Sequence, residues 1–295
     1  MKEHVGGAVR KIYPSSKVIS ITRLTKGCIN RTFSVKIKNP DKDIIFRLYP
    51  KDGWKSEKEK YIYGLISKKT NVPVPKFLNI DTSKKLFPQT YALLSKIPGK
   101  ELTKNNTGQI KEAGNLLAKI HSIKFNRFGW IVGKKIDPGF KKWEEFCNFD
   151  FNHKINNLKE HKKISVSKIK DIINYYKENK HVLDIKDKPC LIHKDYHFSH
   201  ILNYKNKISG IIDVEWAISG HNELDLVKSI MWMFPNDKRL QNIFLGGYGI
   251  RLEDLSERKE MYEFLISVSS ALFSCDLKSD RWLRYNMKKL ESILR

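Results

Sequence analysis

His193, Asp195, His197 and His200 fall in one short stretch, Cys190-Leu191-Ile192-His193-Lys194-Asp195-Tyr196-His197-Phe198-Ser199-His200-Ile201-Leu202, and eighteen residues after Asp195 the apolar run Ile211-Ile212 ends in Asp213. The flanking patterns are strand-like. Leu191-Ile192 is a short buried run, residues 201–204 and 208–214 read as two strands, and Lys205-Asn206-Lys207 is the polar turn between them. Two carboxylates that each close a β-type segment match the needs of phosphoryl transfer: one orients the attacking hydroxyl, and the other holds the magnesium that neutralises nucleotide phosphates. Asp195 is the candidate for the first task and Asp213 for the second. The plain alternatives are a turn-forming loop Asp and a strand-end Asp paired with a basic neighbour. Histidines 193, 197 and 200, at i, i+4 and i+7, would share one face of a helix and suit zinc, but the strand-like runs on both sides argue against a helix here.

His-x-Asp, a metal-ligand type five residues on, then a hairpin to a second Asp resembles the aminoglycoside phosphotransferase family, relatives of choline and protein kinases. Most of that family has Asn at the fifth position; this chain has His200, as do the aminoglycoside 2″-phosphotransferase and macrolide phosphotransferase branches. Further similarities follow in order: Gly27-Cys28-Ile29-Asn30-Arg31-Thr32-Phe33 to the nucleotide-positioning turn, Ile45-Phe46-Arg47-Leu48 to the strand carrying the phosphate-binding cation, and Tyr91 through Gly99 to the segment ending in the hinge. Leu117-Ala118-Lys119-Ile120-His121 resembles the first large helix of the second lobe, and residues 220–225 the segment after the metal Asp.

The resemblance implies an α+β, bilobal protein-kinase-like fold, with a nucleotide-binding lobe over residues 1–96 and a catalytic and substrate-binding lobe over residues 97–295. It implies that Asp195 receives the acceptor's hydroxyl proton and that His200 and Asp213 bind Mg2+; the imidazole of His200 suits softer ions and so predicts tolerance of Mn2+. Gly27 and Asn30 bring backbone to the phosphates of ATP or GTP. Arg47 binds those phosphates and pairs with Glu59, while Glu57, two residues away on the same helix, points elsewhere. Ser95 and Ile97 bond the base through backbone groups, which leaves ATP and GTP equally open. His193 and Asp225 support the catalytic loop, and Glu215 and Glu223, with Asp195, are candidates to contact the acceptor.

Composition sets the outer bounds. A chain of 295 residues has room for two lobes of ordinary size, and 40% apolar with 11% aromatic residues argues against disorder. No run approaches the ~18 apolar residues of a membrane helix, and residues 1–7 lack the apolar core of a signal peptide. Cys28, Cys147, Cys190 and Cys275 are scattered without a Cys-x-x-Cys pair, which fits reduced thiols and a cytoplasmic location. The net charge of +24 is uneven: residues 1–100 hold 22 Lys and Arg against 7 Asp and Glu, whereas residues 191–264 hold 9 against 11. A basic first part suits a polyphosphate nucleotide, and the acidic segment could receive a cationic acceptor. Most of the lysine excess reads as solvated surface.

Residues 18–24, 32–38, 44–49 and 89–94 read as strands and residues 55–68 as a helix; from Asn106 onward helical spacing dominates, as in Ile110, Ala113, Leu117 and Ile120. Further helices are expected over residues 166–176, 223–233 and 258–275, and the tryptophans at 143, 216, 232 and 282 as core or partial core. The leading function is O-phosphorylation of a small, cationic hydroxylated molecule by a nucleoside triphosphate. An aminoglycoside comes first, then a macrolide, then a housekeeping sugar, homoserine or choline-like amine. A basic nucleic-acid-binding protein is the alternative of another class, disfavoured because no basic cluster is interleaved with aromatics. A kinase fold without activity is disfavoured by Asp195 and Asp213.

Overall fold

The computed structural model describes residues 1–24, 30–50 and 53–295. In chain order the elements are α1 (Lys2–Arg10), β1 (Lys17–Leu24), β2 (Arg31–Lys38), β3 (Lys42–Tyr49), α2 (Lys55–Lys69), β4 (Phe77–Asp81), β5 (Thr90–Ser95), β6 (Lys100–Glu101), α3 (Thr107–His121), β7 (Phe128–Val132), β8 (Lys135–Phe140), α4 (Trp143–His161) and α5 (Val166–Asn179). Then follow β9 (Cys190–Ile192), β10 (Ile201–Tyr204), β11 (Lys207–Ile211), β12 (Ile218–Gly220), α6 (Asn222–Met233), α7 (Lys238–Tyr248), α8 (Ser256–Asp276) and α9 (Asp280–Ile293). Contacts divide the chain into two compact units: Met1–Thr103 with Ile131–Lys135 and Phe198–Trp216, and Lys104–Trp130 with Ile136–His197 and Ala217–Arg295.

Among the described residues of the first unit, antiparallel strands form a sheet in the order β1-β2-β3-β5-β4. The period-2 pattern fixes its register: Phe33 lies opposite Phe46 and Val35 opposite Ile44, all four buried. One face of α1 closes this core with Val5, Ala8 and Val9. The compact units are drawn differently from the lobes expected at residue 96. β6 pairs with β10, and so draws the β10–β11 hairpin into the first unit. The returning strand, expected over residues 208–214, ends at Ile211; Asp213 takes φ +66°, which no strand residue adopts.

The second unit is mainly helical, with a short sheet in the order β8-β7-β12-β9. α3 and α7 cross at glycine: a Cβ on Gly114 would sit 2.0 Å from the Phe244 carbonyl oxygen, and one on Gly247 the same distance from that of Lys111. His221, just before α6, is 2% exposed, with Nδ1 2.6 Å from the Tyr262 hydroxyl. That hydroxyl accepts from Trp143 Nε1 at 3.0 Å, which leaves its own proton for His221. Of the four tryptophans expected as core or partial core, Trp143 is buried, and Trp216, Trp232 and Trp282 are between 41% and 51% exposed. Among the described residues no helix is long and apolar enough to cross a membrane, and Cys147, Cys190 and Cys275 are buried free thiols.

Two predictions follow from this packing. Gly114→Ala should lower stability by about 3 kcal/mol, at the upper end of overpacking costs, while Gly108→Ala in the same helix, with no atom within 4 Å of its Cβ position, should be neutral or stabilising. Equal melting temperatures for the two variants would contradict the crossing geometry. Burial pushes the His221 imidazole down to about 4 from its ordinary 6.5, with Glu223 and Asp187 opposing and Arg258 adding to the shift. The folded chain therefore binds this proton less readily than the unfolded one, so stability should hold above 6.5 and fall between 6.5 and 4. Urea titrations across that range should show a shallower fall for His221→Asn; parallel curves would refute the assignment.

Candidate functional site

In the first unit the site grows from β3 and α2. Alternation that buries Phe46 and Leu48 turns Arg47 to the opposite face of β3. There its Nη1 lies 2.8 Å from Glu59 Oε2, and the Tyr49 hydroxyl donates to the same oxygen at 3.3 Å. Glu57 is exposed. Asp213 sits just past β11, where its backbone N–H donates to the Tyr63 hydroxyl at 2.8 Å. Its Oδ1 is 3.9 Å from Arg47 Nη1, and its Oδ2 is 3.6 Å from His200 Nε2. Glu215, two residues on, accepts from Lys55 Nζ and from Asn30 Nδ2, each at 2.7 Å, and its carbonyl accepts from the buried Lys58 Nζ at 2.7 Å.

Glu59, Asp213 and Glu215 bring oxygens within 4.8 Å of one another. Burial pushes the Glu59 carboxyl up to about 7; Arg47 opposes the shift, while Asp213 and Glu215 add to it. Burial also works against the charged form of Arg47, but Glu59 and Asp213 outweigh it and hold the guanidinium well above its usual range. The donor set fits a divalent cation. Asp213 is 31% exposed and offers carboxylate oxygens, and His200 adds a nitrogen that softer ions accept. Glu59 and Glu215 are already held by Arg47 and Lys55.

The other residues expected to meet a nucleotide are placed as follows. Ser95 donates its amide to the Lys76 carbonyl at 2.8 Å and accepts the Lys76 amide on Oγ at 2.9 Å. The Ile97 side chain packs on Gly210, where a Cβ would lie 2.7 Å from it. Gly27 lies outside the described residues.

In the second unit Asp195 follows β9 in a non-helical loop; residues 198–200, which belong to the first unit, form one 3-10 turn. The single helix face that zinc would need across histidines 193, 197 and 200 is therefore not formed. Asp225, buried in the first turn of α6, accepts the His193 amide on Oδ2 at 2.6 Å and the Lys194 amide on Oδ1 at 2.7 Å. His121 Nε2 lies 3.2 Å from Oδ2. Burial would raise the Asp225 carboxyl, but the bonds and charges of His121 and His193 hold it below the usual range.

Lys228, one turn along α6, donates to the Lys194 carbonyl at 2.5 Å and to Asp195 Oδ1 at 3.0 Å. Asp195 Oδ2 is 3.5 Å from His197 Nε2. Burial pushes the Lys194 ammonium down to about 8, with Asp150 opposing and Lys154 and Lys228 adding. Glu223 is gripped by Arg258 through Nε and Nη2, both at 2.8 Å.

Sequence reasoning missed Lys55, Lys58, Tyr63, Lys228 and Arg258. Lys228 alone had a readable signal, since it stands three residues after Asp225 on a helix already expected.

The small β-rich unit and the larger helical one define a bilobal, protein-kinase-like α+β fold. A family model described as "Phosphotransferase enzyme family" matches residues 20–264, and the chain belongs to that family. It is a small-molecule phosphotransferase. Solved structures with the same fold include a thermostable mutant of aminoglycoside phosphotransferase APH(4)-Ia in its apo form (TM-score 0.79, 15% identity, 100% of this chain and 98% of that one). A further mutant of that enzyme, in ternary complex with AMP-PNP and hygromycin B, is similar at TM-score 0.79 and 16% identity, over 99% of this chain and 98% of that one. The gentamicin complex of APH(2″)-IIa is similar at TM-score 0.69 and 15% identity, over 97% of this chain and 95% of that one. No curated protein sequence matches the chain.

Arg47→Met leaves Glu59 buried without its cation, and at pH 8 should lower stability by about 3–5 kcal/mol. Adding Glu59→Gln should restore most of that loss. Urea unfolding of the two variants decides the point; a double variant no more stable than the single would show that the pair is not the source.

Proposed function

We propose that this protein transfers the γ-phosphoryl group of ATP or GTP to a hydroxyl of a small molecule, with an aminoglycoside first among acceptors and a macrolide second. The observation that carries the reading is Asp195, fixed in its loop after β9 inside the span of the family match. The acceptor oxygen bonds to the γ-phosphorus, the bond from that phosphorus to the β–γ bridging oxygen breaks, and the nucleoside diphosphate leaves with the electron pair. The hydroxyl proton passes to the Asp195 carboxylate. Arg47, oriented by Glu59, receives phosphate oxygens. Gly27 and Asn30 belong to the turn over the phosphates, and Ser95 and Ile97 to the segment that meets the base.

Magnesium, with manganese as a substitute, neutralises the nucleotide phosphates when bound, and His200 and Asp213 would hold it. Glu215 and Glu223, as acceptor contacts, would exchange Lys55 and Arg258 for acceptor amines. Support for the acceptor class comes from the relatives: one similar structure holds AMP-PNP and hygromycin B, and another gentamicin. A cytoplasmic location goes with this reading.

A panel of aminoglycosides, macrolides, sugars, homoserine and choline, each with MgATP and MgGTP, should reveal phosphate transfer to at least one. Asp195→Ala should reduce turnover by about 10²–10⁴-fold while the melting shift induced by nucleotide persists. Undiminished turnover in that variant, or a melting shift with RNA and none with nucleotide, would refute the proposal.

A further inference from the structure

We infer that Lys228 is a positioning residue for the reaction: it fixes the orientation of the Asp195 carboxylate. The inference rests on the assignment of Asp195 as the group that receives the hydroxyl proton. Asp225, Lys228 and Ser229 stand at i, i+3 and i+4 and so share one face of α6. Together they bond four backbone groups of the loop between residues 193 and 196. Asp225 takes the amides of residues 193 and 194, Lys228 the carbonyl of 194, and Ser229 the carbonyl of 196 at 3.0 Å. Lys194 is held at φ +65°, a backbone state that a lysine rarely adopts, and this accompanies the bond from its carbonyl to Lys228.

Lys228 does what its two neighbours on that face do not: it also reaches the Asp195 side chain. The χ2 torsion of an aspartate is broad, so a carboxylate anchored only through its backbone samples many orientations. An ammonium that is itself tied to a backbone carbonyl is a fixed point, and its second N–H selects one carboxylate oxygen. Lys228 Nζ also lies 5.8 Å from the Trp232 ring, one turn further along α6, which restrains its stem. Oδ1 is the oxygen bound to Lys228, and Oδ2 lies 3.5 Å from His197 Nε2. Charged or titratable groups about Asp195 in this unit include Lys228 from α6, His197 from the loop and the adjoining Lys194.

The test uses the full chain with Lys228→Met, Lys228→Arg and Asp195→Asn. It measures hydrolysis of MgATP and MgGTP without acceptor, with water in the place of the hydroxyl, and transfer to whichever acceptor the panel yields. Lys228→Met should lower kcat by roughly ten- to a hundredfold, with KM for the nucleotide within about twofold and a melting temperature within a few degrees of the parent. Lys228→Arg should recover most of the rate, and a crystal structure of Lys228→Met should show the Asp195 carboxylate rotated or in more than one orientation.

An Asp195 carboxylate unmoved in that structure, or a Lys228→Met rate within twofold of the parent while Asp195→Asn is inactive, overturns the role of Lys228 alone. A rate loss that merely tracks lost melting temperature, with Lys228→Arg no better than Lys228→Met, overturns it as well. Undiminished activity in Asp195→Asn removes the premise instead, and so separates failure of the functional reading from failure of this inference.

Discussion

Two consecutive peptide N–H groups, those of His193 and Lys194, converge on one fully buried carboxylate, and the placement of the chemistry that follows depends on that convergence. β9 ends at Ile192, so beyond it the sheet no longer supplies partners for the chain. Asp225 supplies them. Burying an ionised carboxylate is costly unless several donors surround it; two amides meet that demand through short bonds, with His121 Nε2 3.2 Å away. His121 is in turn held at Nδ1 by the Tyr248 hydroxyl at 2.9 Å, and that hydroxyl accepts from Asn222 at 3.0 Å. The loop that carries Asp195 is thus tied, through one side chain, to α3, α6 and α7.

The acidic character of residues 191–264 looks different once the partners are known. Counted along the chain, that segment is the exception to a strongly basic protein. In the fold its carboxylates meet cations: Asp195 meets Lys228, Glu223 meets Arg258, Glu215 meets Lys55 and Asp213 lies near Arg47. Two of those cations come from far upstream, so the segment's sum of charges does not measure the field around it. A polycationic acceptor would compete with side chains of the protein for these oxygens, and removing a partner from a half-buried pair is far more costly than adding a charge to a bare surface.

Period and punctuation made much of the architecture readable. The strand over residues 44–49 and the helix over 55–68 lie within one or two residues of β3 and α2, because core-facing alternation and helical spacing are strong there. The contact between Arg47 and Glu59, rather than Glu57, follows from the same helical spacing. α1 escaped notice because its buried stripe is only Val5, Ala8 and Val9, broken by two glycines. The end of β11 was misplaced because Ile212 and Val214 continue an apolar run whose backbone has already left the sheet at Asp213. Trp216 and Trp232 are more exposed than the residue type suggests for a related reason: average burial says nothing about a ring that lies beside a lysine, as Trp216 does beside Lys55 and Trp232 beside Lys228. The hydroxyl of Tyr63 under the Asp213 amide had no signal at all, since it depends on a contact between residues 150 positions apart.

Lys194 and Arg47, two basic residues near the reactive groups, respond differently to desolvation. Lys194, buried among Asp150, Lys154 and Lys228, is pushed down to about 8, close to where an amine begins to lose its charge. Arg47 is buried as well, yet a guanidinium does not deprotonate under such conditions, and Glu59 and Asp213 hold it charged. Glu59 is buried too, and its own desolvation raises its carboxyl to about 7, a shift that Arg47 opposes. In the proposed reaction the phosphate-binding group must stay cationic while the nucleotide removes still more water from around it. A guanidinium held charged by Glu59 and Asp213, and able to bond phosphate through two N–H groups, meets that requirement.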